Sequence, residues 1–210
     1  MDISVFFKPV DSSIHSFINE TAPLIELSNI HTSDNVPNLE LAKLALIGVE
    51  EDRHGGSNKG CSQGPDIIRK HFYKLFKHDK DIRIVDLGNI QQGESYEDTV
   101  FALKSTCFDL LKSGVMPVIL GGSQDLTHAC YAAYEKLEQT VNLVTIDGKL
   151  DFGKGTEEID SFNYLNSIVL HQPNYLFNYS NIGHQRYLVD HEIIDLMGKM
   201  YFDIYRLGEM

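Results

Sequence analysis

From Leu44 onward the chain alternates short apolar runs with amphipathic stretches of helical period. LALIGV (44–49), IRIVDLG (82–88), MPVILGG (116–122) and VNLVTIDG (141–148) are rich in Val, Ile and Leu and have the length of strands, the last two with the composition of buried ones. YSNIGHQ (179–185) and MYFDIYRL (200–207) carry weaker strand patterns. DIIRKHFYKLF (66–76) puts Ile67, Ile68, Phe72, Leu75 and Phe76 on one helical face, and Pro65 suits the first turn, where no N–H is needed. SYEDTVFALKSTCFDLLKSG (95–114) predicts a long amphipathic helix stopped by Gly114. SQDLTHACYAAYEKLEQ (123–139) and VDHEIIDLMGK (189–199) also read as helices. Residues 1–40 show no strong period, and SNIHTSDNVPNLE (28–40) reads as a loop.

Strands alternating with helices predict βαβ units and a mostly parallel sheet covered on both faces, a three-layer α/β/α sandwich. No repeat, low-complexity tract or linker interrupts the pattern. The expectation is one α/β domain over 1–210, with 1–40 as an N-terminal extension. Ligands in such sheets bind beyond the C-terminal ends of the strands, here the loops after Val49, Leu120 and Ile146.

Composition narrows the partners. The 210 residues are 42% apolar and 23% charged, enough to build a core. The net charge of −12 argues against nucleic acid or an anionic membrane as partner. The N-terminus lacks a secretory pattern, and no apolar run approaches the length of a membrane span. Cys61, Cys107 and Cys130 are odd in number without C-x-x-C spacing, which reads as reduced thiols in a cytoplasmic protein.

Three loops carry candidate chemistry. GGSNKGCS (55–62) has Gly55, Gly60 and Ser62 at the spacing of a phosphate-binding loop, but Cys61 stands where the lysine is required, so a simple turn is expected. LGGSQDLTHA (120–129) runs from a strand through two glycines into a helix. It sets Ser123, Gln124 and Asp125 beside the crevice, although taken alone Ser123 or Asp125 is accounted for as a helix cap. VTIDGKLDFG (144–153) ends a strand in Asp147, with Lys149 and Asp151 two and four residues on. An extended chain would set all three on one side, either as a cation site or as an ion-pair cluster with Lys149 as its own cation. His54 and His128 lie near the same crevice, where hydrogen-bonded or solvated roles are the simpler account. The aromatics of 174–180 read as packing residues, and the acidic runs 50–52 and 157–160 as solvated loops.

Taken in order, these segments resemble the ureohydrolase family of arginase, agmatinase and formimidoylglutamase, from about Leu44 to the end. Gly64, Pro65, Ile68 and Arg69 fill the family's Gly-Pro and Ile-Arg positions. VILGGSQDLT looks like its strand followed by Gly-Gly-Asp-His or Gly-Gly-Glu-His, and VTIDGKLDF like its Asp-Ala-His-x-Asp. The resemblance implies an arginase-like α/β/α fold and two Mn²⁺ ions at the strand ends, where a bridging hydroxide attacks a guanidinium or formimino carbon. It also implies departures. The first metal-binding His is Gln124 and the middle one Lys149, a proton-transferring His falls near Asn163, and the later Ser-x-Asp-x-Asp strand is not found before Met210. Of six implied ligands, Asp147 and Asp151 remain.

An ammonium at Lys149 beside a cation is unfavourable. Two unit charges about 4 Å apart repel by roughly 4 kcal/mol at an effective dielectric of 20, and a dication doubles this. The expectation is a ureohydrolase-fold protein with a degraded metal site, no catalysis and no metal, in which Lys149 salt-bridges Asp147 or Asp151. The alternatives are an active Mn²⁺-dependent hydrolase of linear amidines, formimidoylglutamase- or arginase-like, and a metal-free small-molecule binder. The resemblance further implies strands lying between those of MPVILGG and VNLVTID. Their absence leaves three outcomes: a longer parent chain, a partner chain or second copy completing the sheet, or direct pairing of the two strands. Direct pairing is expected, because sequential strands are neighbours roughly two-thirds of the time.

Overall fold

The structure, a computed structural model, describes residues 3–78, 82–153 and 158–209. Among the described residues seven strands form two sheets. The first has the order β1-β3-β2-β4: β1 is Phe7–Lys8, β2 Leu44–Val49, β3 Ile84–Ile90 and β4 Met116–Leu120. The second has the order β5-β6-β7: Val141–Ile146, Leu176–His184 and Asp203–Arg206. Every pairing is parallel except β1 with β3. The predicted α/β class and its parallel sheets are therefore present. The expected direct pairing is not, since β4 and β5 belong to different sheets and each keeps an open edge. Pro117 suits such an edge. The Met116 N–H donates to Lys43 on the β2 side, so alternation turns Pro117 outward, where its missing N–H leaves no rung unmade.

Alternation sorts the first sheet between two cores. Ala45, Ile47, Val49, Val85 and Leu87 pack with Leu103, Cys107 and Leu110 of α3 (Tyr96–Lys112) and with Ala129 and Ala133 of α4 (Thr127–Lys136). Leu46, Ile84 and Leu120 face the other way, onto Val10, Ile14, Ile25, Ile30 and Tyr73. Residues 1–40 were read as an extension, yet their apolar side chains build this second core and β1 adds a strand. Ile14 lies in α1 (Ser12–His15), a turn too short to announce itself by period.

Helix α2 (Gly64–Phe72) corrects the sequence reading most sharply. Ile67, Ile68, Leu75 and Phe76, placed on its inner face, are 55%, 41%, 49% and 57% exposed. The buried positions are Pro65, Arg69 and Tyr73, also spaced by four. Asp86 of β3 explains this. The Arg69 guanidinium grips its carboxylate at 2.8 Å through both Nε and Nη2, donates to the Gly88 carbonyl and Asn89, and Tyr73 donates to the same carboxylate at 3.0 Å. Burial alone would lower the arginine's pKa, but the Asp86 charge overrides it and raises it. A fully paired buried charge thus displaces an apolar stripe from the interior.

The second sheet packs one face on α5 (Tyr164–Leu170), α6 (His191–Lys199) and Tyr131 of α4. Strand β5, read as buried, alternates instead. Val144 and Ile146 are 55% and 85% exposed. Helix α5 was not foreseen. Helix α3 begins at a capping box of Ser95 and Asp98, and Gly114 after it has φ +76°.

Candidate functional site

The loops after β2, β4 and β5 are tied together by polar side chains. Glu51 and Asp52, read as a solvated run, do structural work. Glu51 is fully buried. Burial pushes its carboxyl up, but hydrogen bonds from Arg53 and Gln92 outweigh this and hold it at about 2. Asp52 Oδ2 accepts from the Gly60 N–H at 2.6 Å and Ser62 Oγ at 2.8 Å, which folds 55–62 into two short turns rather than a phosphate cradle. Of the acidic run 157–160, Glu157 lies outside the described residues.

After β4 the chain turns through Gly121 and Gly122, both at positive φ. A side chain at Gly121 would strike Pro65, and one at Gly122 would strike Leu126. Neither Ser123 nor Asp125 caps the helix through its side chain. Asp125 is buried and accepts from Tyr96 Oη at 2.7 Å and Ser161 Oγ at 3.0 Å. Gln124 Nε2 donates to Tyr164 Oη at 3.2 Å, and its backbone N–H donates to Ser161. His54 stacks on Tyr96 at 3.9 Å between centroids and its Nε2 lies 3.7 Å from Glu158. Half-buried His128 has its pKa lowered by burial.

Beyond β5 the extended geometry fails. Asp147 Oδ1 accepts from the Lys149 N–H at 2.9 Å, a tight turn, and Asp151 takes φ +43°. Lys149 does not salt-bridge Asp147 or Asp151; its ammonium lies 4.5 Å from the centre of the Phe162 ring. The ring's negative face gives the ammonium a partner other than a carboxylate. Asp151 is buried and its carboxyl is pushed up to about 7, chiefly by burial and then by the Asp147 charge, with Lys149 opposing. Asn163 is spent locally, accepting from the Asp160 N–H and donating to the Glu158 carbonyl.

The structure thus brings Gln124 to Tyr164, and Asp147 close to Asp151. Sequence reasoning missed Asn181, fully buried on β6, which donates to Thr145 Oγ1 and to the carbonyls of Asp147 and Lys149 while its Oδ1 has no partner. Ser161 and Tyr164 were missed as well, because nothing in the local sequence marks α5 as packing on α4 and meeting Gln124. Among the described residues no group of three or more His, Cys, Asp and Glu side chains could hold a metal ion.

The chain is similar to several known proteins. A formimidoylglutamase of Staphylococcus haemolyticus is 23% identical over 133 residues, covering 60% of this chain and 42% of that protein. Trypanosoma cruzi formiminoglutamase, solved with Mn²⁺, superposes with a TM-score of 0.73 at 18% identity, over 83% of this chain and 63% of that one. Agmatine ureohydrolase of Thermoplasma volcanium gives 0.64 at 21% identity, over 93% and 64%. The chain thus spans less than half of that curated relative and about two-thirds of those solved chains. Since the arginase family's sequence profile matches residues 42–209, four-fifths of the chain, this protein belongs to the arginase family.

Proposed function

We propose that this arginase-family chain is one domain that does not perform two-metal amidine hydrolysis and serves a binding, structural or regulatory role. The observation that carries this is the pair of residues at implied imidazole positions. Gln124 offers a neutral amide oxygen, a poor ligand, where the family's imidazole is implied, and its amide nitrogen donates to Tyr164. Lys149 brings a positive charge into the loop that would have to hold a dication. One oxygen of Asp147 is also committed to the Lys149 N–H. This donor set does not fit a pair of Mn²⁺ ions, which need several oxygen or imidazole ligands.

Elemental analysis after dialysis against Mn²⁺ tests the proposal. No stoichiometric manganese is expected, and two tightly held ions per chain would overturn it. Restoring both imidazoles with Gln124→His and Lys149→His is expected to yield no urea from arginine or agmatine above a metal-only blank. Urea release would show that the remaining ligands are present after all.

One observation favours a second reading, a metal-free binder. With Lys149 turned onto Phe162, Asp147 and Asp151 have no side-chain cation paired with them among the described residues, and the Asn181 Oδ1 has no partner there either. A thermal-shift panel of guanidino and amino-acid compounds distinguishes it, since a ligand of the native state raises Tm. The acidic charge supports a partner set without nucleic acid, and three unbridged thiols support a cytoplasmic setting. No helix among the described residues is long and apolar enough to cross a membrane.

A further inference from the structure

Helices α3 and α4 pack on each other and share one core under the first sheet, built largely from small side chains. Ala102 and Cys107 come from α3, and Ala129, Cys130 and Ala133 from α4. A single buried thiol behaves as a small apolar packing residue. Here there are two. Cys107 is buried, Cys130 is partly exposed, and the two thiols are hydrogen-bonded to each other. Sulfurs in such contact need only a short approach to reach the about 2.05 Å of a disulfide. The third cysteine, Cys61, lies on the loop after β2 and borders the same cavity as Cys130. Burial, and then the Asp52 charge, push its thiol up and withhold the reactive thiolate.

We propose that Cys107 and Cys130 are a redox modification site, which forms a reversible disulfide between α3 and α4 when a small hydroperoxide oxidises the chain. Exposure assigns the order of events. The Cys130 thiolate, partly open to solvent, attacks one oxygen of the peroxide. The O–O bond breaks, giving a sulfenic acid at Cys130 and hydroxide, which takes up a proton as water. Cys107 acts second. Its thiol is pushed up by the hydrogen bond to Cys130 and by burial, so it keeps its proton until then. Its sulfur attacks the Cys130 sulfur, the S–O bond breaks, and the departing hydroxide leaves with the Cys107 proton as a second water. Two thiols and one hydrogen peroxide thus give one disulfide and two waters. The bridge closes a loop that contains β4 and the turn through Gly121 and Gly122 to Gln124. Tyr96 of α3 already holds Asp125 at the end of that turn. Oxidation therefore fixes the segment carrying Gln124, whatever the candidate site binds.

Peptide mapping of the folded chain tests this. The reduced protein is treated with a slight excess of hydrogen peroxide and alkylated with iodoacetamide in denaturant. It is then digested without reduction and read by mass spectrometry. The expected product is a peptide pair joined through Cys107 and Cys130, lost on treatment with dithiothreitol, with Cys61 alkylated. Cys61→Ser should form the bridge to the same extent. Cys130→Ser should form none and should keep the parent circular dichroism, because Cys130 is only partly buried. If it misfolds, Cys130→Ala is the substitute. The oxidised parent should melt several degrees higher than the reduced one, because the bridge constrains the unfolded chain. The same treatment of Cys130→Ser should leave Tm unchanged. Cys130 driven to sulfinic acid with Cys107 still free overturns the proposal, as does a bridge from Cys61 to Cys130 or one between chains. A Cys107–Cys130 bridge that forms only in urea, or that leaves Tm level or lower, overturns it too, since the native helices would then not hold the sulfurs together.

Discussion

The sheet β1–β4 and the sheet β5–β7 come from strands of similar composition, yet they are covered differently. The first has a core on each face, and its buried Arg69, Asp86 and Tyr73 satisfy one another. The second has a core on one face and an exposed apolar row on the other. The loop after β5 holds two close carboxylates, and Asn181 of β6 keeps a buried amide oxygen without a partner among the described residues. Composition therefore does not decide burial; the number of elements available to cover a sheet does. Fuller coverage goes with rigidity, and an uncovered face leaves surface for a ligand or partner.

The largest expected effect tests the well-covered side. Arg69→Ala leaves Asp86 buried and unpaired and should cost about 3–5 kcal/mol in urea unfolding. A loss below about 1 kcal/mol would mean that water reaches Asp86 and that the first sheet is less closed than its packing indicates. Next in size is a matched pair of truncations. Ile47→Ala, at a fully buried position of β2, should cost about 2–5 kcal/mol, whereas Val144→Ala on β5 should stay within about 0.5 kcal/mol. Equal losses from the two would erase the contrast between the sheets.

A smaller effect concerns pH. Asp151 titrates near 7 in the folded protein, well above an unfolded aspartate, so the native state holds its proton more tightly. Its contribution is fully present below about pH 4 and is lost as pH rises through 7. Asp151→Asn keeps the neutral form, and asparagine tolerates the left-handed backbone at this position. The variant should gain on the order of 1 kcal/mol at pH 8, roughly 2–4 °C in Tm, and the gain should vanish near pH 4. A gain independent of pH would point to backbone strain instead. The smallest effect is expected from Lys149→Ala, which removes a half-buried cation–π contact of about 0.5–1 kcal/mol. A loss several times larger would place the ammonium between the carboxylates after all.

Much of this was legible in the sequence, because periodicity and punctuation are local. The strands at 44–49, 116–120 and 141–146, the Ser95 start of α3 and its Gly114 stop, and the order of three motifs all follow from neighbouring residues. So does the identity of Gln124 and Lys149 at implied ligand positions, which needs no coordinates. What the tertiary structure decided depends on residues far apart in the chain. Arg69 faces inward because Asp86 waits on another strand, against the apolar stripe of its own helix. Glu51 is buried because Arg53 and Gln92 satisfy it. Lys149 meets Phe162, thirteen residues further along the chain, beyond the reach of local pattern. The strands MPVILGG and VNLVTID read alike as buried, but β4 and β5 part into separate sheets, since pairing depends on which edges the folded elements bring together. A one-dimensional pattern records which side chains are apolar. Whether water leaves them is settled by what packs against them, and whether a charge may follow them inside is settled by its partners.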